Sequence, residues 1–210
     1  INPKEHCETA LKSAWRYLVD EKAGIIKLFN EPFNGKMKNV GYIRSYPVGV
    51  RENGGQYTHA AVWLTMAMLL IGEHEKGYCM VQMLNPANHS LTSEQAQRYL
   101  TEPYYLDGDV YANPEQYARG GWSIYTGAAG WYFRCILETL LGFNFSDNTI
   151  TISPRVPKEW NRWSVDILYK NTKLYINAIR AEQNKILENG IEIKQIDCNG
   201  GIRRLDLYYK

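Results

Sequence analysis

The period of the hydrophobic pattern changes near Gly142, and that change commits the chain to two kinds of structure in series. Before it, apolar residues recur at helical spacing: Ala10, Leu11, Ala14, Trp15 and Leu18 make one stripe, and Trp131, Ile136, Leu137 and Leu140 belong to another. After it come short alternating runs rich in Ile, Tyr, Val and Thr, namely NTITISP, SVDILYK, KLYINAIRA, IEIKQID and IRRLDLYY. Turn signals such as SDN, KNT, ENG and CNGG separate them. The expected architecture is mainly α over residues 1–142, followed by a small antiparallel β module over residues 143–210. Trp160, Trp163 and several tyrosines of that module call for burial.

Within the first part, the stretch Tyr57 to Gly72 is apolar nearly all round, which predicts a helix buried on every side. The neighbouring helical stretches are amphipathic or end in charges. Inner and outer layers of helices follow, as in part of an α/α barrel, although no fixed-period repeat marks one. Between the helices run two long irregular stretches, Phe29 to Gln56 and Asn85 to Trp122, studded with Tyr, Asp, Glu and Arg. Loops of that length carry function or are disordered, and their aromatic content argues against disorder.

At 210 residues and 45% hydrophobic content the chain can bury a sizeable core. Lys and Arg number 24 against 22 Asp and Glu, so no field favours nucleic acid or a membrane surface. The longest apolar run, Ala60 to Gly72, falls short of the roughly 20 residues of a membrane span. The cysteines at 7, 79, 135 and 198 are scattered, without metal-ligand spacing, and read as free thiols of a cytoplasmic protein. His6, His74 and His89 read as surface or structural. The opening INPKEHCETALKSAWRYL has no initiator Met and turns helical at once, which suggests a carboxy-terminal fragment. Helix faces left uncovered by such a cut would favour a homodimer.

Three clusters at loop-to-helix junctions could carry chemistry. In YPVGVRENGGQYTH, Gly54 and Gly55 permit a tight turn and His59 falls in the first turn of the apolar helix. Helix amino termini offer free N–H groups and partial positive charge, which suit an anion. Alternatively, Asn53 and Thr58 cap the helix and His59 is structural. In TEPYYLDGDVYA, the carboxylates Glu102, Asp107 and Asp109 beside tyrosines suit a sugar, or make an ordinary polar loop. In RGGWSIYTGAAGWYF, Thr126 and Gly127 open a helix where an anion could approach the backbone, or where small residues let helices pack closely. No Ser-His-Asp order, zinc spacing or dinucleotide fingerprint is present.

Taken together, GYIRSYPVGVRENGGQYTHAA, LNPANH, EPYYLDGDVYA, RGGWSIYTGAAGW and ISPRVPKEW resemble the carboxy-terminal part of glycoside hydrolase family 94. These are the inverting glycoside phosphorylases, including the phosphorylase region of cyclic β-1,2-glucan synthases, and the forms RENGGQYTH and YTGAAGW look closest to the β-1,2-glucan branch. The resemblance implies a partial (α/α)6 barrel closed by the β module. It implies inorganic phosphate as co-substrate, with no other cofactor and no metal, held by His59, Thr126 and Gly127. It further implies a β-linked oligosaccharide touched by Arg51, Tyr46, Glu102 and Asp107. The family's general acid is an Asp of an upstream motif that has no match here, so no catalytic residue is expected in this segment, and the segment alone should be inactive. The rival readings are a hydrolase on the same scaffold, which would place Asp or Glu where His59 and Thr126 stand, and a non-catalytic carbohydrate-binding fragment.

Overall fold

A computed structural model describes residues 4–36, 40–124 and 126–210, without the side chain of Thr126. They form two compact units, residues 1–136 and 137–210.

The first unit opens with helix α1, Lys4–Leu18, which has Glu5 in its first turn and Arg16 in its last, each suited to the helix dipole. The predicted stripe is half-buried at Leu11, Ala14, Trp15 and Leu18, while Ala10 is exposed. The chain then reverses through the two-residue strands β1, Val19–Asp20, and β2, Ile25–Ile26. The Asp20 carboxylate closes the turn by accepting the Ala23 N–H at 3.0 Å. Strand β3, Gln56–Tyr57, leads into α2, Thr58–Leu70, and α3, His74–Leu84. Val62, Met68, Leu69, Met80 and Leu84 form the core between these two helices. Gly77 allows the close approach, since a Cβ there would lie 2.5 Å from the Leu69 side chain.

Burial of α2 differs from the expectation. Ala61, Val62, Thr65, Met68 and Leu69 are buried, but Trp63 and Leu70 are exposed at 51% and 60%. An all-apolar helix is buried wherever partners exist, and the described residues supply partners for one face.

The stretch read as irregular after Asn85 holds α4, Ser93–Tyr99, started by a capping box between Thr92 and Gln95. Strand β4, Asp109–Val110, pairs antiparallel with β3, setting Gln56 opposite Val110 and Tyr57 opposite Asp109. A small second core of Ile25, Tyr99, Val110 and Ala118 gathers under these loops. Helix α5, Thr126–Arg134, continues into a π-helical turn, Cys135–Leu140. Among the described residues no helix is long and apolar enough to cross a membrane.

The second unit contains eight strands: β5 Phe143–Ser146, β6 Thr149–Ile152, β7 Arg162–Tyr169, β8 Thr172–Arg180, β9 Lys185–Glu188, β10 Ile191–Ile193, β11 Ile196–Asp197 and β12 Gly201–Tyr209. They form a three-stranded sheet, β11-β6-β5, and a five-stranded sheet, β10-β9-β12-β8-β7. Along β8 the inward positions Thr172, Leu174, Ile176 and Ala178 are all buried. The run IEIKQID is divided, its two halves joining different sheets.

The expectation of a wholly antiparallel module needs one correction, because β12 runs parallel to β8, Gly201 opposite Thr172 through Tyr209 opposite Arg180. Alternation gives the faces of a strand and not its direction, and the connection from β8 to β12 through β9–β11 is long enough for a parallel return. Of the two tryptophans, Trp160 and Trp163 are half-buried; Trp163 packs on Tyr209, whose hydroxyl donates to the Trp160 carbonyl.

Gly142, at φ +78°, lies against the chain as it returns: a Cβ there would sit 1.9 Å from the Ser153 carbonyl oxygen. Gly142→Ala should therefore destabilise the protein by about 2–4 kcal/mol through left-handed strain and overpacking together, read as a lowered midpoint in urea.

Candidate functional site

The three polar clusters meet in the first unit. The turn at Val50–Asn53 is bridged by Asn53, which is 0% exposed. Its amide accepts the Phe33 N–H at 2.8 Å and donates to the carbonyls of Phe33 and Tyr46, each at 2.9 Å. Asn53 thus organises the loop and does not cap α2. Gln56 ties the loop to the hairpin, its side-chain oxygen accepting the Ile26 N–H at 2.9 Å while its amide donates to the Thr58 hydroxyl at 3.2 Å. The amino terminus of α2 has no side-chain cap.

His59 projects from that terminus among three rings. Trp63 meets it edge-on at 4.7 Å between centroids, Trp131 lies at 5.9 Å, and Tyr57 is parallel to it at 6.5 Å. Its Nε2 is buried with no hydrogen-bond partner among the described residues. Its Nδ1 lies 3.8 Å from where a Gly127 Cβ would be, and nothing else among the described residues is within 4 Å of that point. The first turns of α2 and α5 therefore meet at His59 and Gly127. The Thr126 side chain lies outside the described residues.

Arg51 takes a positive φ of 50° in the turn and lays its guanidinium on the Trp122 indole, 3.6 Å from the ring centroid and 5.6 Å from that of Tyr46. Trp122 is 47% exposed, so this cation–aromatic stack faces solvent. Glu102 is half-buried, and its carbonyl accepts the Tyr105 N–H.

Asp107 and Asp109 are, by contrast, 1% and 2% exposed. The segments LDGDVYA and ARGGW run alongside each other: Val110 bridges Gly120, the Tyr111 N–H donates to the Arg119 carbonyl at 2.8 Å, and the Gly121 N–H to the Asp109 carbonyl at 2.9 Å. A Cβ on Gly120 would lie 1.9 Å from Asp107 Oδ2, and one on Gly121 2.2 Å from Asp109 Oδ1. The glycine pair makes the room that the two carboxylates fill. Asp107 accepts the Thr101 hydroxyl at 2.7 Å, and Asp109 accepts the Trp122 N–H at 2.9 Å. One oxygen of each, with Glu52 Oε2, is buried without a hydrogen-bond partner among the described residues.

Burial pushes the Asp107 carboxyl up to about 6; the Thr101 and Tyr99 hydroxyls oppose this, and the charges of Asp109 and Glu102 add to it. Burial also raises Asp109, helped by Glu52 and opposed by the Trp122 backbone and by Arg51. Sequence reasoning did not find the fit of carboxylates to glycines, nor Trp122 under Arg51. The signal lay in a Gly-Gly pair flanking a loop with D-G-D, since glycine in extended chain marks a close approach.

Residues 1–142 match the family described as "Glycosyl hydrolase 94 superfamily, catalytic domain". The chain belongs to this family. Family 94 relatives include a cyclic beta-(1,2)-glucan synthase of Rhizobium meliloti (strain 1021), 38% identical over 177 residues, 84% of this chain and 6% of that protein. An N,N'-diacetylchitobiose phosphorylase of Vibrio furnissii is 22% identical over 91% of this chain and 24% of its own length. A 1,2-beta-oligoglucan phosphorylase of Listeria innocua serovar 6a is 25% identical over 67% and 14% respectively. The chain thus spans less than a quarter of these family 94 proteins.

The Asp107 carboxyl gives a pH test. Its folded value of about 6 lies above the ordinary 3.8, so the folded state binds more protons than the unfolded state between those values. Stability must then fall as pH rises through that window, by at most about 1.4 kcal/mol per pH unit from this group. Asp107→Asn should flatten the dependence in urea melts taken between about pH 4 and 7, leaving a residual slope of the same sign from Asp109.

Proposed function

We propose that this chain supplies the phosphate-binding side, and part of the sugar-binding side, of an inverting glycoside phosphorylase. The observation that carries the reading is the meeting of two helix amino termini at His59 and Gly127, the first without a side-chain cap. The positive dipole ends of two helices that meet there favour an anion, and the His59 ring adds a donor in a geometry set by its aromatic neighbours. Thr126 and Gly127 complete the cradle. Arg51, Tyr46 and Glu102 are the proposed sugar contacts; Asp107, at 1% exposure, contributes by holding the loop.

In the reaction, a phosphate oxygen attacks the anomeric carbon from the face opposite the leaving sugar. The new C–O bond forms as the glycosidic C–O bond breaks, and a carboxylic acid gives its proton to the departing oxygen. Phosphate arrives as an anion and needs no general base; it needs donors that hold it close to a developing oxocarbenium ion. The products are a sugar 1-phosphate and the shortened sugar. The acid would come from a segment outside these 210 residues, so the chain alone would be inactive.

On this reading residues 1–142 are part of an (α/α)6 barrel and residues 143–210 its carboxy-terminal β module. An exposed apolar groove lined by Cys7, Leu11, Ala67, Leu70 and Ile71 supports the barrel, since further helices or a second copy of the chain would cover it. A β-1,2-linked glucan is the proposed substrate, in keeping with the 38% identity to a cyclic β-1,2-glucan synthase, and a cytoplasmic setting suits the free cysteines.

The test is phosphorolysis of β-1,2-linked glucose oligosaccharides by the longest protein that carries this chain. His59→Ala should lower kcat/KM for phosphate roughly 10- to 150-fold, the loss of one hydrogen bond to a charged group, with the KM for sugar little changed. Thr126→Val should act in the same direction. Release of free glucose at an unchanged rate without phosphate would overturn the proposal in favour of a hydrolase.

A further inference from the structure

Asp109 joins two loops that belong to different clusters. Its carboxylate accepts the Trp122 N–H at 2.9 Å, and the loop that carries it is tied to the Arg51 turn by the Ala112 N–H, which donates to the Gly49 carbonyl at 2.7 Å. It occupies the space a Gly121 side chain would need, and the Gly121 N–H returns a hydrogen bond to the Asp109 carbonyl at 2.9 Å. The segment carrying the Trp122 ring is therefore anchored to one buried group. Above that group the guanidinium lies on the indole, and the arginine backbone is held at positive φ. An arginine stem has many rotamers, and left to itself would spread its five donors over many directions.

We propose that Asp109 is a positioning residue: it fixes Trp122, so that the Arg51 guanidinium rests flat on the indole and presents its N–H edge in one orientation to a sugar hydroxyl. The inference rests on the reading of Arg51 as a sugar contact. Asp109 itself, at 2% exposure, does not touch the sugar. Its negative charge balances Arg51 from below, against the neighbouring Glu52, while its first oxygen holds the Trp122 backbone. Asn keeps an acceptor for that N–H and removes the charge, so it separates the two contributions.

The experiment uses the isotope-labelled 210-residue chain, with sophorose, the β-1,2-linked glucose disaccharide, as probe. Protons held over an aromatic face are shifted upfield, so in the wild type the Arg51 side-chain signals should stand upfield of the other arginines. In Asp109→Asn the circular dichroism spectrum should stay that of a folded chain while the Arg51 signals move toward those of the other arginines. The Kd for sophorose should rise roughly tenfold, comparable with losing one hydrogen bond to a charged group. Gly121→Ala drives a methyl group into the carboxylate without removing it; it should move the same signals, and it serves as the test where the Asn variant does not fold. Arg51 signals unmoved in either folded variant would overturn the positioning role. Ring-shifted Arg51 signals that collapse in the variants, in a chain that binds no sophorose, would support positioning and overturn the sugar reading alone.

Discussion

Two carboxylates standing where two glycine side chains would be are the constraint on which the polar end of the first unit depends. Asp107 and Asp109 fill the spaces beside Gly120 and Gly121, and neither partner tolerates replacement by a larger group while the other stays in place. The cost of burying two acids is offset in part by the Thr101 hydroxyl and the Trp122 N–H. The remaining cost appears as raised carboxyl values and as oxygens without hydrogen-bond partners among the described residues. Buried polar groups of this kind are poor sources of stability and good sources of uniqueness, because a shifted register would leave both acids unpaired.

The rest of the site is built outward from that pairing. Once 107–111 and 119–122 are aligned, β4 meets β3, and β3 delivers the chain directly into the first turn of α2. The Thr58 N–H, at the start of that turn, donates to the Gly108 carbonyl at 3.0 Å, so the position of His59 is tied to the same loop that holds the acids. The apolar face of α2 then fixes the helix against α3, which turns a flexible loop junction into a defined helix mouth. The greasy helix and the polar cluster before it are in this sense one device.

Much of this was legible in the letters. The switch of period near Gly142 separates the helices from the long strands, and the loop-to-helix junctions place His59 and Gly127 in the first turns of α2 and α5. Other features were present as signals and passed over: T-S-E-Q at Thr92–Gln95 is a capping box, and it starts α4 inside a stretch read as irregular. The strand at Phe143–Ser146 alternates as F-N-F-S and was passed over, while Lys185–Glu188, K-I-L-E, sets its two apolar residues side by side and so shows no alternation. What could not be read was pairing at a distance. Nothing local in LDGDV says that its acids lie against the glycines of ARGGW, or that Arg51 rests on Trp122. Those facts arise from which loops the small core of Ile25, Tyr99, Val110 and Ala118 brings together.

The order of strands in the larger sheet has a consequence for how the second unit is made. β7 with β8, and β9 with β10, are neighbouring hairpins that can form as soon as they are synthesised. The strand that unites them, β12, follows both hairpins in the sequence and is central in the sheet, with β9 on one side and β8 on the other. During synthesis the two hairpins must therefore wait unjoined, with edges open to pairing with other chains, until β12 has emerged to fill the gap between them.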